Sequence, residues 1–185
     1  KRILEMEKEG NVFIRFISME QYEKQVAYDV GAYYSVETNY RLFLFGEMFA
    51  KYDRMLYLDC DLIVEGDISS LYDIELGDCE AAAVRDESFR LLSKIKKPVF
   101  MDRFPYNVDN YRKDALGMKT PENYFNAGVL VMDLKKARQR ITQKQVFAIL
   151  HRHNYYYNDQ DVLNIGFDGR VKNVDCRWNY MTYIP

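Results

Sequence analysis

The sequence predicts an α/β fold, a mostly parallel sheet flanked by helices, and three observations predict it. Apolar runs of strand length alternate with longer stretches whose apolar residues recur at helical spacing. Polar residues able to carry chemistry stand at the ends of those runs, where open α/β sheets bind ligands. No internal repeat and no low-complexity linker divides the chain, so residues 1–185 read as one domain, or most of a larger one. Composition narrows the function classes. An apolar content of 48% suits a sizeable core, and 26 basic against 28 acidic residues give no nucleic-acid surface. No apolar run approaches the length of a membrane span. Three scattered cysteines, Cys60, Cys79 and Cys176, favour reduced thiols and a cytoplasmic setting over a disulfide framework.

The elements follow in order. "NVFIRFIS" (11–18) reads as a strand, in a chain that begins as if mid-domain, without an initiator methionine or signal peptide. "SVETNYRLFLFGEMFAKY" (35–52) reads as a helix capped near Ser35 and lying beside that strand, with Tyr40, Phe43, Leu44 and Met48 at helical spacing. Met55 to Leu58 form a short buried strand, "GDISSLYDI" a short helix begun at Asp67, and "CEAAAVRD" a strand ending at Asp86. Residues 93–124 carry three of the four prolines and isolated aromatics, which predicts a mobile flap over a site. "NAGVLVMDL" is a strand leading into helical "KKARQRITQKQVFAILHRHN", where Thr142 to Gln145 has capping-box spacing for a second helix start. "NDQDVLNIGF" closes the series.

The chemistry centres on "YLDCDLIV". In an extended chain Asp59 and Asp61 leave one face while Cys60 points inward. Two carboxylates held a few ångströms apart repel unless one protonates or a divalent cation bridges them. Oxygen-only donors favour a hard ion, Mn²⁺ or Mg²⁺, which completes its shell with water and phosphate oxygens. The implied substrate is phosphorylated. A bare D-x-D is usually a solvated turn, but a buried strand before it and a glycine turn after it place this pair at the carboxyl edge of a sheet.

Asn126 and the trio Asp159, Gln160 and Asp161 stand at similar edges. Together "NYRLFLFGE", "MLYLDCDLIV", "YFNAGVLVMDLKKAR" and "NDQDVLN" resemble glycosyltransferase family eight, retaining nucleotide-sugar transferases of GT-A fold, from about Val12 to Tyr180. The resemblance implies that Asp59 and Asp61 bind the metal, Asp59 also lying near the nucleotide ribose and the Cys60 backbone against the nucleotide. It implies that Arg41 reaches the donor sugar and diphosphate, and that Asn126 lies near the transferring sugar. Asp159 and Gln160 would stand beside the anomeric carbon as the catalytic pair, and Asp86 would face the sugar pocket. The implied partners are a UDP-sugar donor and a carbohydrate or glycoconjugate acceptor, with Mn²⁺ or Mg²⁺ as cofactor. The implied setting is polysaccharide biosynthesis in the cytoplasm, with peripheral contact to the inner membrane face through segments outside this sequence. The family's opening strand, which holds the uracil, is expected before Lys1, and its H-x-x-G-x-K-P-W segment after Pro185.

Each site residue has a structural alternative. Arg41 reads equally as a surface ion-pair partner, Asn126 as a turn residue, and Asp159 as the N-cap of a helix beginning at Gln160. His151 and His153 close a helical stretch, where i and i+2 diverge, and read as surface residues instead of ligands; Tyr155 to Tyr157 read as packing. Two other functions fit part of the pattern: a haloacid-dehalogenase-type phosphatase, which also opens on D-x-D, and a non-catalytic sugar-nucleotide binding module.

Overall fold

The computed structural model describes residues 8, 10, 12–26, 35–92, 94, 107–152 and 155–181. Its centre is one four-stranded sheet of β1 (Arg54–Leu58), β2 (Ala81–Arg85), β3 (Phe125–Asp133) and β4 (Val171–Asn173), in the order β1-β3-β2-β4. Strand β3 lies between β1 and β2 and runs antiparallel to both, with Leu130 opposite Tyr57 on one side and Ala83 on the other. Strand β4 pairs parallel to β2. Three strands thus share a direction and β3 alone is reversed, so the expected mostly parallel sheet holds for strand direction but not for pairing. An alternation of apolar runs fixes that strands exist, not which neighbour each finds.

Reversal of β3 is what assembles the site. The carboxyl ends of β1 and β2, where Asp59 and Asp86 follow, lie at the same sheet edge as the amino end of β3, which carries Asn126 and Ala127. Both sheet faces are covered, hence the unbroken apolar run of β3. Ala81, Ala83, Leu130 and Met132 face the larger core, with the 36–45 segment and the helices that follow β3; Ala82, Val129 and Val131 face a smaller one with Leu71, Leu76 and Trp178.

Several expectations stand as read. A short helix (Ser69–Tyr72) follows Asp67, whose Oδ1 accepts from the Ser69 N–H at 2.8 Å. After β3, helices Leu134–Arg140 and Gln143–Leu150 are separated by the Thr142/Gln145 capping box. One expectation shifts: helix Asn158–Gly166 begins two residues before Gln160, on a left-handed Asn158 (φ 37°), so Asp159 sits in its first turn instead of capping it. Among the described residues no helix is long and apolar enough to cross a membrane.

Three expectations are corrected. Residues 12–18 form no strand, and Phe13 and Phe16 are exposed; a strand needs a hydrogen-bonded neighbour, and none of the described strands pairs with them. The 35–52 stretch is not one α-helix but a 3₁₀ helix Val36–Phe45, an extended Gly46 (φ −106°, ψ −177°) and a 3₁₀ turn Glu47–Phe49. Leu42 to Phe45 are buried consecutively, which a one-faced amphipathic α-helix does not allow. Of the expected flap, residues 107–124 are packed: a helical turn Val108–Asn110 runs into a π-helical turn Tyr111–Ala115, and Tyr111 and Tyr124 are each 1% exposed. The remainder of that stretch, residue 94 apart, lies outside the described residues.

Candidate active site

Arg41 organises one half of the sheet edge. Its Nη2 donates to Asp59 Oδ1 at 2.7 Å, its Nε lies 2.9 Å from Asp159 Oδ2 and 3.1 Å from the Thr38 carbonyl, and its Nη1 donates to the Ala127 carbonyl at 2.7 Å. The guanidinium also stacks 4.6 Å from the centre of the Tyr57 ring. The side chain is 8% exposed, so Arg41 is no surface ion-pair residue. Three hydrogen bonds and the Asp159 ion pair, all from one planar fork, join the 3₁₀ helix, the end of β1, β3 and helix Asn158–Gly166 at one point.

Asp59 follows β1 directly. Its N–H donates to the Gly128 carbonyl at 2.9 Å, and Oδ1 accepts from both Arg41 and the Tyr57 hydroxyl, the latter at 2.8 Å. Tyr57 is a site residue outside the D-x-D itself, and two-residue strand spacing puts it on the Asp59 side. Burial raises the Tyr57 hydroxyl pKa, which keeps it a donor. A Cβ at Gly128 would lie 3.1 Å from Asp59 Oδ2, so glycine leaves room for the carboxylate. The strand ends at Leu58, so alternation does not extend through the triplet: Cys60 is exposed in a turn instead of pointing inward, and Asp61 is exposed beside it.

Gln160 organises the other half. Its Oε1 accepts from the Ala127 N–H at 3.0 Å, and its Nε2 donates to Asp86 Oδ2 at 3.0 Å and to the Tyr124 hydroxyl oxygen at 3.2 Å. Asp86 Oδ1 accepts from the backbone of Ser88 and Phe89 and from the Ser88 hydroxyl, capping the helix Glu87–Leu92. Asp86 therefore reaches the site with both oxygens engaged and 5% exposed, acting toward Gln160.

Asp159 is also 5% exposed, and burial pushes its carboxyl up to about 7, with Arg41 opposing and Asp59 adding to the rise. Asp161, two residues on, is fully buried and takes three donors: Tyr124 Oη at 2.6 Å on Oδ1, and Tyr111 Oη at 2.6 Å with the Tyr157 N–H at 2.8 Å on Oδ2. Tyr111 and Tyr124 lay within the expected flap, so nothing in the sequence pattern joined them to Asp161.

Asn126 Oδ1 accepts from the Gly128 N–H at 2.8 Å and from Asn179 Nδ2 at 2.7 Å, and its Nδ2 lies 3.6 Å from Met181 Sδ. Asn179, in the turn Cys176–Asn179, is a further site residue that lies outside every motif of the sequence reading. His151 lies at the far end of helix Gln143–Leu150, exposed, its Nε2 3.0 Å from the Gln25 carbonyl, in keeping with a surface role. His153 lies outside the described residues.

The donor set fits a hard cation in part. Among the described residues, Asp59 Oδ2 and the exposed Asp61 carboxylate have no hydrogen-bond partner at the end of β1. Among the described residues no group of three His, Cys, Asp or Glu side chains stands ready to hold an ion, so these two would need water or ligand oxygens to complete a shell.

Residues 2–185 match the family described as Glycosyl transferase family 8. A lipopolysaccharide 1,2-glucosyltransferase of Escherichia coli K12 is 34% identical over 70% of this chain and 34% of its own length. A lipopolysaccharide 1,3-galactosyltransferase of Salmonella typhimurium is 29% identical over 76% of this chain and 39% of its own. The chain thus spans well under half the length of these relatives. Among solved structures, the WbbM bifunctional glycosyltransferase superposes with a TM-score of 0.70 at 30% identity, covering 80% of this chain and 26% of that one. The galactosyltransferase LgtC, in complex with donor and acceptor sugar analogs, gives 0.58 at 33% identity over 78% and 46%. These neighbours carry the GT-A fold, and with a family match over nearly every residue the chain belongs to glycosyltransferase family 8.

Proposed function

We propose that the protein moves a hexose from a UDP-sugar to an acceptor hydroxyl with retention of anomeric configuration, assisted by Mn²⁺ or Mg²⁺. The observation that carries this reading is the Arg41 fork: one guanidinium ties the D-x-D carboxylate Asp59 to Asp159, beside Gln160. In this reading Asp59 and Asp61 hold the cation. The ion, when bound, would neutralise charge growing on the departing diphosphate. Arg41 aims the Asp59 carboxylate and would offer a positive charge to a diphosphate oxygen. Asn126, held by Asn179 and Gly128, orients the transferring sugar.

Transfer forms the bond between the acceptor oxygen and the anomeric carbon and breaks that carbon's bond to the β-phosphate oxygen. The acceptor proton leaves with UDP. Gln160 is a poor nucleophile because an amide oxygen is far weaker than a carboxylate. Its carbonyl instead stabilises positive charge on the sugar, and the acceptor attacks the face the diphosphate leaves. Asp161 is fully buried with both oxygens engaged, which argues against it as a nucleophile. Family membership removes the grounds for the phosphatase reading.

The test is turnover by the full-length protein. UDP-glucose and UDP-galactose, with sugar acceptors and Mn²⁺, are expected to give metal-dependent UDP release and an α-linked product by NMR. Metal-dependent UDP binding without release from any sugar nucleotide would instead identify a non-catalytic binding module.

A further inference from the structure

We propose that Tyr124, backed by Asp161, is a positioning residue that fixes which way the Gln160 amide faces. The proposal rests on the catalytic reading of Gln160. The argument is one of donor and acceptor sense. The Ala127 N–H can only donate, so the atom of Gln160 that meets it at 3.0 Å is the carbonyl oxygen. Asp86 acts as an acceptor, its Oδ1 taking Ser88 and Phe89 and its Oδ2 lying 3.0 Å from Gln160, so the Gln160 atom there is the amide nitrogen. Tyr124 is the ambivalent partner, because a phenol both donates and accepts.

Asp161 removes that ambivalence. Its carboxylate has only lone pairs to offer, and at 2.6 Å its Oδ1 takes the single Tyr124 proton. The Tyr124 oxygen then turns a lone pair to Gln160 Nε2 at 3.2 Å. A reversed amide would set N–H against N–H at Ala127 and oxygen against oxygen at Asp86 and Tyr124. Burial preserves this sense: Tyr124 is 1% exposed and Asp161 0%, so no water competes. Tyr124 is anchored besides by its ring, stacked on Phe89 with centres 4.3 Å apart. Tyr111 meets the same carboxylate on its other oxygen, Oδ2, which makes it a control for loss of a donor to Asp161.

The experiment uses the full-length protein with UDP-sugar and Mn²⁺. Tyr124→Phe removes one oxygen and is expected to lower kcat about tenfold with the donor KM within about twofold, whereas Tyr111→Phe, at comparable loss of stability, keeps kcat within about threefold. In a Gln160→Ala background Tyr124→Phe should lower kcat no further, because its effect passes through the missing amide. Independently of turnover, the Gln160 side-chain N–H pair in ¹⁵N spectra should be two separated, slowly exchanging resonances that collapse or shift in Tyr124→Phe, with the Asn164 pair as internal reference. Should Tyr124→Phe fail to fold, slow exchange of the wild-type Gln160 pair supports the proposal, and exchange at the free-amide rate overturns it. Multiplicative losses in the double variant, or an unchanged Gln160 resonance pair in Tyr124→Phe, likewise overturn it. Full kcat in Gln160→Ala would sink the catalytic reading instead, leaving the resonances to decide whether Tyr124 orients the amide.

Discussion

Arg41 Nε lies 2.9 Å from Asp159 Oδ2, and both side chains are less than a tenth exposed. Removing one partner of such a pair strands the other charge in the interior. Arg41→Met is expected to lower the unfolding free energy by about 3–5 kcal/mol in urea titrations. Arg41→Met combined with Asp159→Leu should recover part of that loss, since no buried carboxylate is then left alone. Strict additivity of the two losses would show that the pair is not coupled.

The two acidic residues of the D-x-D separate by their surroundings. Asp61 is exposed and has no partner among the described residues, so Asp61→Asn is expected to change stability by less than about 0.5 kcal/mol while abolishing Mn²⁺-dependent UDP binding. Asp59 also holds Arg41 and Tyr57, so Asp59→Asn should lose the same binding and about 1–3 kcal/mol of stability. Calorimetric titration of each variant at matched fold content checks both; wild-type affinity in either removes that residue from the metal site.

Gly128→Ala tests the space around Asp59. The added methyl would lie 3.0 Å from Asn126 Oδ1 and 3.1 Å from Asp59 Oδ2. It should displace both site residues together, weakening Mn²⁺-dependent UDP binding about tenfold or more by calorimetry, because contacts this tight oblige the carboxylate to move. Unchanged binding would mean that the carboxylate relaxes without cost.

Asp161 predicts a pH signature. Burial pushes its carboxyl up to about 6, outweighing the hydrogen bonds from Tyr111, Tyr124 and Tyr157 that lower it. The unfolded chain releases this proton near 4, so between about 4 and about 6 the folded state binds more protons, and the Asp161 contribution to stability declines as pH rises. It is flat above that window. The stability of the wild type relative to Asp161→Asn, which has no such titration, should therefore be greatest near pH 4 and smaller at pH 7. A difference that grows toward neutrality would show that the hydrogen bonds, and not burial, dominate.

For Gln160, Gln160→Ala is expected to reduce kcat by roughly 10–10³-fold with little change in donor KM, the size of one preorganised dipole. Gln160→Glu puts a nucleophilic carboxylate in its place and could trap a glycosyl ester, visible by intact-protein mass spectrometry after mixing with donor. The same adduct on Asp159 or Asp161 of the unmodified protein would overturn same-face attack.

Sequence by itself determined the apolar runs of β1, β2 and β3, the capping box at Thr142, and the ordered motifs holding Arg41, Asp59, Asn126 and Gln160. Those features are local: burial of a strand and closure of a cap depend on residues a few positions apart. The tertiary structure decided what depends on distant partners. It placed β3, reversed, between β1 and β2, brought Arg41 within reach of Asp59 and Asp159, and left residues 12–18 without a strand partner. It also turned part of the expected flap inward, because two tyrosines 37 and 50 residues from Asp161 satisfy a buried carboxylate, and a buried charge draws donors from wherever the chain can supply them.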